Sequence, residues 1–527
     1  MTPSPAIDRR DTDVLVIGSG LAGCAAALAA ADRGARVLLL TKAARPEESN
    51  TWYAQGGIIY RGSADSPDQL AADILAAGDG LCNPAAVGLL AREGPRLVDE
   101  VLIGRAQVSF DHAGGGSGAL DLTAEAAHSM ARIIHAADAT GRSIEGAMMA
   151  VVSREPGIEI ATGQTAIDLL TLSHHSSDPR DVYAPPTCVG AYVFDQATRR
   201  VGTVMARRTI LATGGLGRIF LHTSNPAGAC GDGVAMAYRA GARCINMQFV
   251  QFHPTTLYVG EDRFLISESM RGEGARLVDA RGREFMREHH PDGSLAPRDV
   301  VSRGIHQMMH ETGDPCAYLD VTHKDADWIR GRFPRIYARC RDAGIDITTQ
   351  PIPVVPAAHY SCGGVAVDEW GQSSLRRLYA VGEVSCTGLH GANRLASTSL
   401  LECLVWGTRA GGHAARAVAA GGGDAGAPDI APWRYETEQV DPALVAQDWL
   451  TIRQTMWNYV GLVRSHKRLD RAHQILRELH LEIGRFYEKS ELSDALVGLR
   501  NAVQTALVVL LAAMEARTSA GCHYRVD

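Results

Sequence analysis

The sequence lacks long apolar segments, an excess of basic charge and a signal-like start. No stretch approaches the roughly 18 uninterrupted apolar residues of a membrane-spanning helix, and the longest candidate, about residues 506–514, is far shorter. Residues 1–8 are polar and contain no apolar run that could act as a signal peptide. Lys and Arg total 52 against 59 Asp and Glu, and this net charge of −7 is not the concentrated basic face that nucleic acid requires. We therefore predict a soluble, cytoplasmic protein without a membrane or nucleic-acid partner.

Cysteine is present but forms no pairing motif. The 11 cysteines are scattered and odd in number, and no two are spaced as Cys-x-x-Cys. Disulfide frameworks and iron–sulfur sites depend on regular or closely paired cysteines, so the sequence favours neither. It also predicts no metal site and shows no internal repeat.

Glycine is the residue type in excess. The 527 residues correspond to two to four domains at about 150 residues each. Hydrophobic residues at 46% and charged residues at 21% are typical of a folded protein. The 55 glycines are about 10% of the chain against a usual value of about 7%. Because they cluster, we expect the backbone to pass close to a ligand in several places.

The first 40 residues predict a βαβ unit, typical of a doubly wound α/β fold. An apolar strand at 14–17 is followed by an alanine-rich helix at 21–33, with Gly34 as its stop, and by a second strand at 36–40. The sequence Gly18-Ser-Gly-Leu-Ala-Gly23 joins strand to helix, where glycines allow a tight turn, close approach of a pyrophosphate and helix packing. This pattern indicates dinucleotide binding at the helix N-terminus.

Three further segments select FAD as the dinucleotide. The acidic residue that ends the second strand in many nicotinamide-binding proteins is replaced by Thr41 and Lys42. Strands ending in glycine turns recur at 211–215 and 378–383, and Glu383 is placed to accept from a ribose or ribityl hydroxyl. The segment 397–401 starts a helix whose positive end could stabilise a reduced flavin.

The composition changes along the chain and predicts four segments. Residues 247–360 are dense in Arg, His, Pro and acidic residues, and we predict a separate α+β cap there. A linker is predicted at 421–428 and a helical bundle over about 435–515. We also expect loops over 41–118, a helix around 126–139 and a small antiparallel sheet within 158–204. The predicted domains are 1–246 and 361–425 for FAD binding, 247–360 for the cap and 432–527 for the C-terminal helices.

Seven blocks in this order resemble the succinate dehydrogenase/fumarate reductase flavoprotein superfamily. Within it, they are most similar to the L-aspartate oxidases, and the resemblance covers about residues 11–420 and extends to the helical tail. The blocks are SNTWYAQGG at 49–57, HAADATG at 135–141, QFHPT at 251–255, ESMRGEG at 268–274, PRDVV at 297–301, HYSCGG at 359–364 and GANRL at 391–395.

The resemblance implies an α/β fold with a Rossmann-like FAD-binding domain, an inserted α+β cap and a C-terminal helical bundle. It also implies a small dicarboxylate held between cap and FAD domain. The cofactor-binding residues expected by resemblance and motif are Gly18, Ser19, Gly20, Gly23, Lys42, Asn50, Thr51, Gln55, Gly56, Gly57, Asp232, Glu383, Ser399 and Leu400.

A four-carbon dicarboxylate carries two negative charges that must be matched in a dry cleft. The matching blocks supply four residues for this purpose. His253 and His359 are expected to bind one carboxylate and Arg394 the other. Arg298 matches the family's proton shuttle, although an isolated guanidinium has a pKa above about 12 and is normally no base.

In the family, neighbouring residues form a proton relay with this arginine, and Glu268 and Arg271 match those residues here. Their i,i+3 spacing places both on one helical face if the segment is helical. A simple salt bridge between them is the alternative interpretation.

Two positions discriminate within the superfamily. Membrane-complex members carry a flavin-linked histidine where Asn50 stands, so FAD is expected to be non-covalent. Aspartate oxidases carry a glutamate that would pair with the substrate ammonium, and Glu125 stands there, although the usual flanking glycines are replaced by Ala126 and Ala127.

The resemblance implies FAD-dependent oxidation of L-aspartate to iminoaspartate, with oxygen or fumarate as electron acceptor. This reaction would be the first step of NAD biosynthesis through quinolinate, with functional coupling to a quinolinate synthase. The alternatives are a soluble fumarate reductase or succinate dehydrogenase flavoprotein, and a catalytically silent flavin-binding subunit.

Overall fold

The computed structural model describes residues 9–115, 118–125, 127–260, 263–421 and 428–527. The predicted linker therefore lies almost wholly outside the described residues, as does Ala126 beside Glu125. The strands, in chain order, are β1 (Arg9–Ile17), β2 (Val37–Leu40), β3 (Ile58–Ile59), β4 (Ile133–Ile134), β5 (Ile158–Ala161), β6 (Gln164–Thr171), β7 (Cys188–Asp195), β8 (Arg200–Leu211), β9 (Cys244–Ile245), β10 (Val250–Leu257), β11 (Arg276–Val278), β12 (Ala317–Asp320), β13 (Ile352–Ser361), β14 (Gly364–Ala366), β15 (Leu378–Ala380) and β16 (Ser385–Cys386).

The helices are α1 (Leu21–Ala31), α2 (Asn50–Tyr53), α3 (Pro67–Ala77), α4 (Pro84–Leu97), α5 (Thr140–Val152), α6 (Leu172–His175), α7 (Asp232–Arg239), α8 (Glu268–Gly272), α9 (Arg298–Thr312), α10 (Ala326–Arg332), α11 (Pro334–Asp342), α12 (Thr398–Ala420), α13 (Pro442–Val460), α14 (His466–Tyr487) and α15 (Asp494–Glu515). A π-helix, Val98–Arg105, continues α4.

The largest sheet has seven strands in the order β5-β2-β1-β8-β7-β6, and β15 also pairs with β8. Strands β5, β2, β1, β8 and β15 run parallel to one another, as the βαβ opening predicts. Strands β6 and β7 pair antiparallel with each other and with the start of β8, as predicted for 158–204, but they extend the main sheet. The reason is the length of β8, whose 12 residues pair with β7 at one end and with β15 at the other.

Both faces of this sheet are covered. Val14 and Val16 of β1 point into a core formed with α1, α4, α5 and α12. Leu15 and Ile17 point to the other face, where they pack into one core with α7 and the C-terminal helices α13–α15. The predicted C-terminal helical bundle is therefore present, and it shares its core with the FAD-binding sheet.

Helices α1 and α12 pack backbone against backbone. A Cβ atom at Gly407 would lie 2.6 Å from the Ala22 carbonyl oxygen, and one at Gly411 would lie 2.0 Å from the Ala26 carbonyl oxygen. Only glycine fits at these two positions, because a side chain would push the helices apart. This contact holds α12 against the helix that follows the glycine-rich turn.

The cap contains a four-stranded antiparallel sheet, β10-β13-β12-β11, with helices α8–α11 around it. It has a hydrophobic core of its own, which includes Leu257, Ile305 and Val354. The predicted fold class is therefore confirmed: a Rossmann-like FAD-binding domain, an α+β cap and a helical C-terminal part. The exact domain boundaries stay a prediction.

Two local predictions are wrong. Residues 41–118 contain α3, α4 and the π-helix; the overlooked signals are the caps Ser66 and Asn83, each followed by proline at the first helical position. The helix expected around 126–139 is absent from the described part of that segment, where β4 pairs with β3 and Ala137 has a φ of +47°. The helix begins only at Thr140.

Helix α15 is, within the described ranges, the one helix long and apolar enough to cross a membrane, with a mean hydropathy of 1.7 in its most apolar window. Of that window, 72% is buried inside the structure. Its burial against the sheet and the neighbouring helices is that of a core helix.

Candidate active site

A cavity of about 630 Å³ lies at the carboxyl ends of the parallel strands, between the main sheet, the cap, the start of α12 and the C-terminal helices. Most of the predicted cofactor-binding residues line it. They are Gly18, Ser19, Gly20, Lys42, Asn50, Thr51, Gln55, Gly56, Gly57, Asp232, Glu383, Ser399 and Leu400. Of the predicted substrate and catalytic residues, Glu125, His253, Glu268, Arg298, His359 and Arg394 line it as well. Gly23 and Arg271 do not.

The glycine-rich turn fits a dinucleotide pyrophosphate. Gly18 has a φ of +114°, and a Cβ atom there would lie 2.1 Å from the Ala212 carbonyl oxygen. A Cβ atom at Gly23 would lie 1.9 Å from the Gly18 carbonyl oxygen, so this glycine allows α1 to pack on the turn without facing the cavity. Gly20 caps α1 without a side chain, which leaves the helix N-terminus open to a phosphate. These residues fit FAD as a cofactor.

One end of the cavity carries the predicted pair Lys42 and Asp232. The Lys42 Nζ atom lies 2.6 Å from Asp232 Oδ2, and Asn501 of α15 donates to the other carboxylate oxygen at 2.9 Å. Burial opposes the charge of Lys42, but the Asp232 carboxylate outweighs it and raises the pKa of Lys42. Asp494 of α15 also lines the cavity and accepts from Thr165 Oγ1 at 2.6 Å. Sequence reasoning missed the contribution of α15, since nothing local in that helix indicates a cofactor.

Glu383 is buried beside Asn50. It accepts hydrogen bonds from the Ser361 backbone N–H at 3.0 Å and from Asn50 Nδ2 at 3.0 Å. Burial raises the pKa of Glu383 to about 7. Asn50, which we expect to match the flavin-linked histidine of other members, is thus an amide that is engaged with a buried carboxyl group.

His253 and His359 face each other from the neighbouring strands β10 and β13, with ring centroids 5.3 Å apart. His359 Nδ1 lies 2.8 Å from Ser224 Oγ, and His253 Nδ1 lies 3.2 Å from the Thr255 backbone N. Burial, reinforced by nearby arginines, lowers the pKa of both rings well below the usual value. At neutral pH both rings are therefore uncharged, and they can act on a carboxylate as N–H donors rather than as cations.

Arg298, Glu268 and Arg271 form a continuous chain of contacts. Arg298 Nε lies 2.5 Å from Glu268 Oε2, and Arg271 Nη2 lies 3.2 Å from Glu268 Oε1. The segment is helical, as the i,i+3 spacing requires, and Arg271 lies behind Glu268, away from the cavity. Burial disfavours the Glu268 charge, but Arg298 and Arg271 outweigh it and lower the pKa of Glu268. Arg298 Nη1 is buried and, among the residues described, has no hydrogen-bond partner.

Arg394 and Glu125 are the remaining predicted substrate-binding residues that line the cavity. Arg394 Nη1 donates to Ser399 Oγ at 3.3 Å, while its Nε atom is buried without a hydrogen-bond partner in the described part of the chain. Glu125 accepts from Ser397 Oγ at 2.7 Å, and a Cβ atom at Gly56 would lie 3.1 Å from Glu125 Oε1. The carboxylate therefore reaches the cavity.

Contacts with other segments hold the loop that carries Glu125, although its flanking sequence is altered. Buried Arg132 contacts Asp65 at 2.9 Å and Asp73 at 2.5 Å. His128 Nε2 lies 3.1 Å from the Ala396 carbonyl oxygen. These contacts with residues from other segments hold the loop in place. The sequence around Glu125 alone does not indicate them.

The fold, the glycine turn and the cavity define an FAD-binding flavoprotein. A family model described as "FAD binding domain" matches residues 13–400, and one described as "Fumarate reductase flavoprotein C-term" matches residues 450–527. Among solved structures, a chain of E. coli quinol fumarate reductase is 27% identical with a TM-score of 0.87, and the match covers 99% of this chain and 92% of that one. Sdh1 of Mycobacterium smegmatis is 29% identical with a TM-score of 0.82, covering 99% and 90%.

Curated relatives of similar sequence identify the family within this class of flavoproteins. An L-aspartate oxidase of Pseudomonas aeruginosa is 43% identical over 98% of this chain and 95% of its own length. L-aspartate oxidase 1 of Ralstonia nicotianae is 44% identical over 98% and 95%. The chain belongs to the L-aspartate oxidase family.

Proposed function

We propose that this chain oxidises L-aspartate to iminoaspartate, with non-covalently bound FAD and with oxygen or fumarate as electron acceptor. The observation that carries the proposal is the presence of the Glu125 carboxylate in the same cavity as Arg298 and Arg394. A dicarboxylate that also bears an ammonium needs both an anion and cations around it, because burying an unpaired ammonium costs several kcal/mol.

The two carboxylates of the substrate are held at opposite sides of the site. His253 and His359, as neutral donors, bind one carboxylate, and Arg394 binds the other through its free N–H edge. Glu125 pairs with the ammonium. Three separate contacts fix the orientation of a small substrate, which is the main requirement for hydride removal from one carbon.

FAD, when bound, supplies the two-electron acceptor for a hydride from the substrate Cα. Arg298 holds a proton over the reacting carbon in the fumarate direction. Its contact with Glu268, backed by Arg271, gives that proton a path through a buried carboxylate. Burial lowers the pKa of Arg298, but the Glu268 carboxylate outweighs it and raises that pKa, so the contact does not make the guanidinium a stronger acid. It gives Arg298 a neighbour that can return the proton after transfer.

The location and the metabolic setting follow from this activity. We propose a cytoplasmic enzyme whose product enters quinolinate and NAD synthesis. Because iminoaspartate is unstable in water, a quinolinate synthase is the functional partner that we propose.

The test is product analysis under air. The FAD-loaded protein with L-aspartate should consume oxygen and release oxaloacetate and ammonia in equal amounts, since the imine hydrolyses to these products. Conversion of succinate to fumarate without any product from L-aspartate would support the fumarate reductase alternative. Retained FAD without turnover of either compound would support a silent flavin-binding subunit.

A further inference from the structure

Arg394 differs from Arg298 in its electrostatic surroundings. Arg298 has the Glu268 carboxylate at 2.5 Å, whereas no Asp or Glu among the described residues forms an ion pair with Arg394. Burial and the nearby Arg298 both lower the pKa of Arg394. A buried cation in this position needs compensation from another source.

The aromatic ring of Tyr360 provides a contact to this cation. The Arg394 Cζ atom lies 4.7 Å from the ring centroid, within the range of a cation–π interaction. The hydroxyl group of Tyr360 belongs to a buried set of hydrogen bonds with Glu402 and His390. It donates to Glu402 Oε2 at 2.9 Å.

Glu402 is held as an anion by three donors. Besides Tyr360, His390 Nε2 lies 2.8 Å from Oε2, and Thr387 Oγ1 donates to Oε1 at 2.7 Å. Its side chain is 1% exposed. Burial disfavours its charge, but His390, Thr387 and Tyr360 together lower the pKa of Glu402. Burial and Glu402 raise the pKa of Tyr360 well above its usual value, so the phenol remains a donor.

We infer that Tyr360 and Glu402 are positioning residues that stabilise the Arg394 cation through the face of a polarised ring, an arrangement that we call the Tyr360–Glu402 relay. A phenol that donates to a carboxylate has a more electron-rich ring, which strengthens its attraction for a cation. A carboxylate placed directly on the guanidinium would occupy the N–H edge and compete with the substrate. The ring compensates the charge and leaves that edge free. This inference rests on the proposed role of Arg394 in binding a substrate carboxylate.

Two variants and one control test the inference. Tyr360→Phe keeps the ring but removes the link to Glu402. Glu402→Gln keeps the shape and a hydrogen-bond acceptor but removes the charge. The control is Tyr379→Phe, because Tyr379 is equally buried, its hydroxyl lies 2.9 Å from His413 Nδ1, and it does not line the cavity. FAD content and thermal midpoint are measured for all three holoenzymes.

The readouts are succinate binding, by titration of the flavin absorbance, and the kinetics of fumarate reduction. The dissociation constant of succinate should rise a few-fold in Tyr360→Phe, within the roughly 2- to 30-fold range for complete loss of a cation–π contact, because the ring stays and only its polarisation is lost. The KM of fumarate should rise with it while kcat changes by less than about twofold, as for an interaction made equally in ground and transition states. Glu402→Gln should shift both in the same direction, and Tyr379→Phe should shift neither.

Three results would overturn the inference. Unchanged succinate binding in both variants, with a wild type that binds succinate, would refute the relay and leave the proposed function standing. A defect in Tyr360→Phe that is absent from Glu402→Gln would show that the charge of Glu402 plays no part. A wild-type holoenzyme that binds no dicarboxylate would refute the proposed function together with the relay. If Tyr360→Phe loses FAD, the dissociation constant of succinate in Glu402→Gln decides the test.

Discussion

The Ser397 hydroxyl donates to the Glu125 carboxylate at 2.7 Å, so the residue before α12 orients the side chain that we assign to the substrate ammonium. Ser397 itself has a φ of +58°, and the helix that follows it is fixed by the close packing of α12 on α1. The anion is therefore tied to the rigid part of the FAD-binding domain, although it is carried by a loop.

Glu125→Gln should separate the two activities of the enzyme. The amide keeps the shape of the side chain but loses the charge, so oxidation of L-aspartate should fall about 10- to 100-fold, as expected for about 1.5–3 kcal/mol of charge-assisted bonding. Fumarate has no ammonium, and its reduction should survive. Both rates are measured on FAD-loaded protein, with Glu311→Gln, an exposed glutamate of α9, as the control. An equal fall of both activities would assign Glu125 a general structural role.

Arg298→Leu should abolish fumarate reduction while FAD stays bound. The change removes the cation and proton donor of the cap, but it leaves the glycine turn and the Lys42–Asp232 pair untouched. Turnover and flavin content are compared with Arg303→Leu, on the same helix but outside the cavity. Near-normal reduction by Arg298→Leu would mean that the proton travels by another route.

FAD should be released completely by acid precipitation. The expectation rests on Asn50, an amide engaged with Glu383, which cannot form the covalent link expected of a histidine at this position. All yellow colour should appear in the supernatant, measured by its absorbance after neutralisation. Flavin that stays with the pellet would contradict the assignment. It would indicate a covalent link of the kind expected in the membrane-complex members.

Glu383 should make the stability of the cofactor-free protein depend on pH. Burial raises its pKa from 4.5 to about 7, so the folded state holds a proton that the unfolded state has released. Its stabilising contribution is therefore present below pH 4.5 and is lost as the pH rises through about 7. Denaturant unfolding of the wild type and of Glu383→Gln over pH 5–8 should show a falling difference in unfolding free energy. A constant difference would mean that the carboxyl titrates normally.

The sequence predicts the parts of the fold that depend on local patterns. The strand, glycine turn and helix from residue 14 onward were found because apolar runs and glycines mark them directly, and the same holds for the C-terminal helices. Helices α3 and α4 are not predicted because the region is rich in Gly, Asn and Ser, which also occur in loops, and here Ser66 and Asn83 cap the two helices. The antiparallel extension of the main sheet depends on the pairing of β8 with two distant strands, which no local pattern encodes.

The candidate site likewise contains residues that the sequence predicts and features that it does not. Block matches led to residues such as His253 and Arg394, and the structure brings them to one cavity. The neutral state of the two histidines could not be predicted, because it depends on burial and on arginines from other segments. Asp494 lines the cavity and Asn501 contacts Asp232 because α15 packs on the FAD-binding sheet.

Anaerobic mixing tests the central claim most directly. The purified yellow protein is mixed without oxygen with L-aspartate, D-aspartate or succinate, and the flavin absorbance is followed. We predict that L-aspartate bleaches the flavin, because only a dicarboxylate with a correctly placed ammonium meets Glu125, Arg394 and the histidines together. Bleaching by succinate with no response to L-aspartate would contradict this prediction.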